Sequence, residues 1–408
     1  MKNSISKNIF IKIKSSLNLE FTEKTSIEEN LPSETKQQLF LQKYEDDYKN
    51  QYEISDKHSY LILTDKNVSD NIGKAMSWLI KKIGKTLFNG QSVMNISLPV
   101  FIFQARTMLQ IFAYEFRLAP YYFKKAFYSQ DKYEKLKYLT TFLITQSYFS
   151  TSISKPFSPR LGETYQTKIG DLNMYLEQTS SKPLTANFYC FDDDKCYVYS
   201  GNITTSASTG PNSCKAVKTG KSMLQFKTGE VYYFYFPDIN IKGTTMGKKE
   251  FNVKHYGLVE DVNNKFTSVV DYSKDSKGFF KGIFGKKKTD VQFPDSFKGG
   301  IYNSSDVKIS KNDSKHEVNE KAYELIRLNG RWTVEVLFDD KIYWQMNDMP
   351  LLPMMQMKFM LPSDTSLRED LIAFMSGDLK LAQDKKELVE EKQRFDRKLR
   401  EKYQKNKK

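Results

Sequence analysis

The 408-residue chain predicts an α+β fold, mainly antiparallel β: a large incomplete-to-closed β-barrel with a helical layer before it and a helical segment after it. Three observations predict this. Beyond Glu163, short alternating apolar runs recur between Gly, Asn, Asp and Ser. A helical apolar period dominates residues 104–149. A heavily charged helical stretch occupies residues 361–405.

In chain order, residues 1–69 are polar and mixed in charge and read as a partly flexible extension. Ile5, Ile9, Ile13 and Leu17 share one helical face, which suits a short docked helix or a membrane-surface helix. Lys7, Lys12 and Lys14 break any apolar leader core, and no later run approaches ~20 apolar residues. A soluble cytoplasmic protein, transiently peripheral on membranes, is expected. Met76, Leu79, Ile80, Ile83 and Leu87 form one amphipathic stripe within residues 70–90, with Trp78 beside it. Spacing alone makes this a docked helix. Ser97–Phe103 reads as a short buried strand. Met108, Leu109, Phe112 and Phe116, then Leu136, Leu139, Phe142 and Leu143, mark helices interrupted at Pro120, with Asp131 as an N-cap.

The barrel region is expected at residues 155–350. Its runs are Thr185–Phe191, Lys195–Ile203, Met223–Phe226, Val231–Phe236, Val253–Leu258 and Lys265–Tyr272. Trp332, Val334, Val336 and Phe338 then share one face, and Ile342 and Trp344 return after Asp339-Asp340. Within it, Phe279, Phe280 and Phe284 alternate with glycines and lysines ending in Lys286, Lys287 and Lys288. That pattern suits a contact with an anionic membrane, and equally an ordinary solvated turn.

The formal charge of +14 favours an anionic partner, nucleic acid or an acidic membrane face, without choosing between them. Cys190, Cys196 and Cys214 include no CxxC, and the three histidines are scattered, so neither a metal site nor a cofactor is expected. Enzymatic signatures are lacking: there is no GxSxG or HExxH, and Gly220-Lys221-Ser222 lacks the upstream glycine of a P-loop.

Two segments organise the rest. Lys155-Pro156-Phe157-Ser158-Pro159-Arg160-Leu161-Gly162-Glu163-Thr164-Tyr165 is a rigid extended stretch set by its prolines. Leu176-Glu177-Gln178-Thr179-Ser180-Ser181-Lys182-Pro183-Leu184 is a polar turn. The first resembles the KPFNPxLGETYE motif of the oxysterol-binding-protein-related family, and the second a degenerate copy of its EQVSHHPP fingerprint. Leu361-Pro362-Ser363-Asp364 through Asp370, and Glu390-Glu391-Lys392-Gln393-Arg394, resemble the family's C-terminal end. The resemblance covers residues 70 to 405 and implies a lipid-binding domain over residues 70–408. In that domain a hydrophobic tunnel is closed by a lid at 70–90, backed by the helical layer and finished by C-terminal helices.

Lys386, Glu390 and Arg394 project from one helix face at i, i+4 and i+8, which by spacing alone also describes a solvated salt-bridge ladder. The resemblance implies that they grip a phosphorylated inositol headgroup together with Lys155. Gln146 and Tyr148 stand where relatives place polar groups that reach a sterol hydroxyl. This chain departs from the family at the phosphate clamp: Ser181 and Lys182 replace two histidines, and Ser158 replaces an asparagine. Three outcomes stay open: an anion site rebuilt with Lys182, Ser181 and Ser158; another anionic headgroup such as phosphatidylserine; or a neutral sterol alone. The expected activity is non-enzymatic binding and transfer of one lipid by a monomer with no nucleic-acid partner. A nucleic-acid-binding barrel is the competing class.

Overall fold

The computed structural model describes residues 52–54, 61–83, 97–152, 154–210, 212–272, 293, 295–308, 317–319, 321–348, 352–357 and 359–406. All of them fall in one compact unit, Tyr48–Lys408.

One eighteen-stranded sheet dominates. Its main path starts at Met354–Gln356 and runs through Thr164–Ile169, Leu172–Ser181 and Leu184–Asp192 to the long strand Tyr197–Gly210. It continues through Ser222–Phe226, Val231–Tyr235, Tyr256–Asp261, Phe266–Asp271 and Ser296–Asn303. Ile326–Arg331, Glu335–Phe338 and Lys341–Gln345 finish it, every pair antiparallel. Among the described residues no ladder joins Lys341–Gln345 to Met354–Gln356, so the sheet is not closed into a complete barrel. The far half of Tyr197–Gly210 leaves this path and pairs with Ser213–Thr219. From there a second branch runs through Asp238–Lys242 and Glu250–Lys254 to Leu61–Leu63 and Tyr52–Ile54.

Several sequence expectations change. Two strands, Tyr52–Ile54 and Leu61–Leu63, precede residue 70. Lys155–Phe157 lies outside the large sheet, in a parallel pair with Phe103–Thr107, while the last strand of the sheet runs past residue 350. The expected strand Val253–Leu258 is two strands, because His255 adopts φ 67° and turns the chain between different partners. Within Ser97–Phe103, Pro99 heads a 3-10 turn at Val100–Ile102, and the strand starts only at Phe103. On the face expected at Trp332, Val334, Val336 and Phe338 all but half-buried Val334 are buried, and on the return strand Trp344 is buried while Ile342 is 48% exposed.

The helices are α1 (Lys66–Ile83), α2 (Met108–Glu115), α3 (Ala119–Tyr128), α4 (Lys132–Phe149), α5 (Glu369–Met375) and α6 (Leu379–Asn406). Thr107 and Gln110 form a capping box that starts α2. Pro120 sits in the first turn of α3, where its missing N–H costs nothing. Asp131 caps α4 by accepting from the Tyr133 and Glu134 N–H groups at 2.6 and 3.0 Å. The helical layer meets the sheet through Phe116, Phe123, Phe142, Phe188, Tyr199 and Phe234. Their rings pack mostly edge to face, with centroids 4.6 to 6.5 Å apart. No described helix is long and apolar enough to cross a membrane.

Candidate functional site

The two motif segments are tied to each other and to the C-terminal segment by buried polar contacts. Gly162, at φ 78°, makes the tight turn that lets its N–H reach the Gln178 carbonyl at 2.8 Å. The Gln178 N–H answers to the Glu163 carbonyl at 2.9 Å. The Glu163 carboxylate is buried and accepts from the Arg160 N–H at 3.0 Å, Thr365 Oγ1 at 2.7 Å and the Arg368 guanidinium at 3.1 Å. Arg368 forks onto Asp370 at 3.0 and 2.7 Å and also donates to the Ser158 carbonyl at 2.8 Å. Burial works against the Arg368 charge, but Glu163 and Asp370 outweigh it and hold its pKa above the ordinary value. A bulge between Gln178 and Ser180 turns the strand end, so that Ser181 and Lys182 sit exposed beside the first motif.

Where these segments converge with α6 lies a cavity of about 510 Å³. It is lined by Lys155, Ser158, Ser181, Lys182, Lys386, Glu390 and Arg394, the seven residues singled out from the sequence. The lining also includes Arg368, Arg397 and Arg400, against only two carboxylates, Asp370 and Glu390. Phe103 stands between the two lysines, with the Lys155 ammonium 4.5 Å and the Lys386 ammonium 5.5 Å from its ring centroid. Lys386 is satisfied by Glu390 at 2.7 Å and Ser97 Oγ at 3.0 Å. Among the described residues Lys155 has only neutral hydrogen-bond partners, Ser158 Oγ at 3.2 Å and the Pro156 carbonyl at 3.3 Å. Burial, reinforced by Lys386 and Arg368 and opposed by Glu390, pulls its pKa down from 10.5 to about 8. The cavity thus holds a cation that an incoming anion would stabilise.

This shift predicts a pH dependence of stability. Between pH 8 and 10.5 the unfolded chain binds a proton at Lys155 that the folded protein has shed, so stability rises with pH through that window. Below pH 8 the cost of charging Lys155 is fully present. Lys155→Met should abolish this rise, as read by urea denaturation across the window.

Not every sequence-predicted residue joins the cavity. Gln146 is buried in α4, its Nε2 without a hydrogen-bond partner and its side chain directed toward Tyr199. Tyr148, half-buried, packs edge to face on Phe149 at 5.5 Å, and burial raises its pKa to about 12. Neither lines the cavity, because α4 faces the aromatic core. In α1, Ile72 is buried, and Trp78 packs against a cluster that includes Phe103 and Phe157 of the cavity wall. The side chains of Met76, Leu79, Ile80 and Ile83, and all of Leu87, lie outside the described residues, as do Phe279, Phe280, Phe284, Lys286, Lys287 and Lys288. Sequence reasoning missed Arg368, Arg397 and Arg400. Arg397 and Arg400 continue the row from Arg394 at i+3 and i+6, a spacing that was readable. Asp192, Asp194 and Cys196 bring ligand atoms within 4.8 Å of one another, but Lys124 already pairs with Asp194 at 3.4 Å.

Fold and site together define an open antiparallel barrel, backed by helices, with a cation-lined mouth built from two sequence motifs. The chain belongs to the oxysterol-binding protein family, whose sequence profile matches residues 77–408. It is 28% identical over 328 residues to oxysterol-binding protein 9 of Dictyostelium discoideum, covering 80% of this chain and 76% of that protein. Against human oxysterol-binding protein-related protein 1 it is 24% identical over 356 residues, covering 77% of this chain and 37% of that protein. Among solved structures it resembles the Saccharomyces cerevisiae Osh3 ORD in complex with PI(4)P, with a TM-score of 0.59 at 20% identity, covering 80% of this chain and 84% of that one. It also resembles the Osh1 ORD domain in complex with cholesterol, with a TM-score of 0.61 at 17% identity, covering 92% and 90% of the two chains.

Proposed function

We propose that this protein binds one anionic glycerophospholipid, a phosphoinositide or phosphatidylserine, with its headgroup in the cation-lined cavity, and carries it between cytosolic membrane faces without chemical change. The observation that carries the reading is the excess of cations over carboxylates where both motif segments meet α6. Lys155 and Arg394 supply charge to a phosphate or carboxylate, Lys182 stands in for the family's lost histidines, and Ser158 and Ser181 offer hydroxyl donors. Glu390, held by Lys386, can accept from hydroxyls of the headgroup. Here α1 acts as the lid, packed against the wall that contains Phe103 and Phe157.

Burying ~300–500 Å² of lipid apolar surface contributes on the order of 10 kcal/mol before association costs. A lipid leaving a bilayer was already dry, so apolar burial does not discriminate among lipids. Selectivity then rests on the headgroup, and the cavity favours anions over a neutral sterol. A sterol-only carrier remains the second reading, supported by the fold shared with the cholesterol-bound Osh1 domain. Tyr197, Tyr199, Phe226 and Phe234 are buried in the core and so out of reach of base stacking, while the positive charge serves the nucleic-acid reading and the lipid reading alike.

Mass spectrometry of lipids copurifying with the protein, combined with transfer between liposomes, tests the proposal. Recovery and transfer of an anionic glycerophospholipid is expected. Recovery of sterol alone, with no anionic lipid moved, overturns the headgroup assignment. Steeply salt-dependent retention on single strands without lipid transfer would revive the nucleic-acid class.

A further inference from the structure

Helix α6 has two faces of opposite character. Lys386, Glu390 and Arg394 lie along the cavity. On the far side, Leu381, Leu388, Phe395 and Leu399 are 43%, 60%, 61% and 51% exposed. At 100° per residue these four fall within an arc of about 40°, roughly opposite the cavity row. Large apolar side chains gathered in one row differ from the scattered singles of an ordinary surface. Exposed Lys392 and Lys402 lie about 20° beyond the two edges of the row and Lys398 about 60° beyond it, while exposed Asp384 and Glu391 flank its N-terminal half. From Lys392 to the helix end, cations outnumber Asp396 and Glu401.

We infer that this outer face of α6 is a docking surface for an anionic bilayer, with the apolar row at headgroup depth and the flanking lysines on acidic lipids. Charge complementarity selects this occupant over a second copy of the chain. From Lys392 to its end α6 carries seven cations against Asp396 and Glu401, a balance that an acidic bilayer matches. The same helix walls the cavity, so docking holds the cavity about 10 Å, one helix diameter, from the lipid plane. The inference goes beyond the headgroup proposal and stands or falls separately from it.

The test is flotation of the full chain with phosphatidylcholine vesicles and with phosphatidylcholine–phosphatidylserine vesicles. The wild type should bind the acidic vesicles selectively. The combined variant Leu388→Gln/Phe395→Gln/Leu399→Gln should bind them at least tenfold more weakly. Lys392→Gln/Lys402→Gln should weaken binding roughly twenty- to thirtyfold, from ~1 kcal/mol per lysine at the surface. Lys155→Ala/Arg394→Ala, altered only at the cavity, should still float, which separates docking from headgroup capture. The inference fails if the apolar-row variant floats like the wild type. It also fails if the wild type is a dimer that this variant makes monomeric, since a second copy would then cover the face.

Discussion

Arg368→Met is expected to lower folding stability by about 3–5 kcal/mol, the usual cost of removing one partner from a buried ion pair. The side chains of Arg368, Glu163 and Asp370 are 3%, 0% and 0% exposed, so water cannot take over the lost contacts. Glu163 would keep its Thr365 donor and the Arg160 guanidinium 3.3 Å away, but Asp370 would remain buried without a counter-charge among the described residues. The loss comes from that uncompensated charge and not from missing volume. Adding Glu163→Gln and Asp370→Asn to the Arg368→Met background should therefore recover a large part of it. Urea denaturation midpoints read both effects. A loss under about 1 kcal/mol would show that the cluster behaves as a solvated surface pair. Because Arg368 also joins the C-terminal segment to the first motif through the Ser158 carbonyl, the variant should expose residues 361–370 to proteolysis before the sheet opens.

This cluster also shows where sequence reading succeeds and where it stops. Helix starts were legible because their chemistry is local: Asp131 is an N-cap within three residues of the N–H groups it serves. The strands in which every second residue is buried were legible for the same reason, as with buried Val336 and Phe338 against half-buried Glu335 and Leu337. The two motif-like segments and the helical row Lys386, Glu390 and Arg394 line one cavity, and the row was legible from its i, i+4, i+8 spacing. What single-chain patterns could not supply was long-range pairing. Arg368 reads as one more arginine before a helix until the fold sets it against Glu163, about two hundred positions earlier. The branch at Tyr197–Gly210 and the enlistment of Leu61–Leu63 by Glu250–Lys254 have no local signature either.

Lys155→Ala combined with Arg394→Ala is expected to reduce affinity for an anionic headgroup by at least a hundredfold while leaving the fold intact. Each charge-assisted hydrogen bond lost contributes about 1.5–3 kcal/mol, and each 1.4 kcal/mol is about tenfold. Stability should move the other way. In the free protein half-buried Lys155 faces Lys386 and Arg368, with its pKa drawn down to about 8 chiefly by desolvation, so Lys155→Ala removes a charge held at a cost. Arg394 contributes little to folding, since its contact with Glu390 is long, at 3.9 Å, and its side chain is 49% exposed. A residue needed only for folding would lose stability and binding together; a binding cation held at a cost loses binding alone. The pH profile supplies a second signature. A bound phosphate or carboxylate keeps Lys155 protonated, so wild-type affinity should fall as pH rises above about 8, with proton uptake on binding, and the double variant should show a flat profile. Liposome transfer of anionic lipids and of sterol, run side by side across that range, reads all of this. Unchanged transfer of every anionic lipid by the double variant would remove the headgroup role from the cavity. Loss of anionic transfer with sterol transfer retained would fix the cavity as the element that selects among lipids.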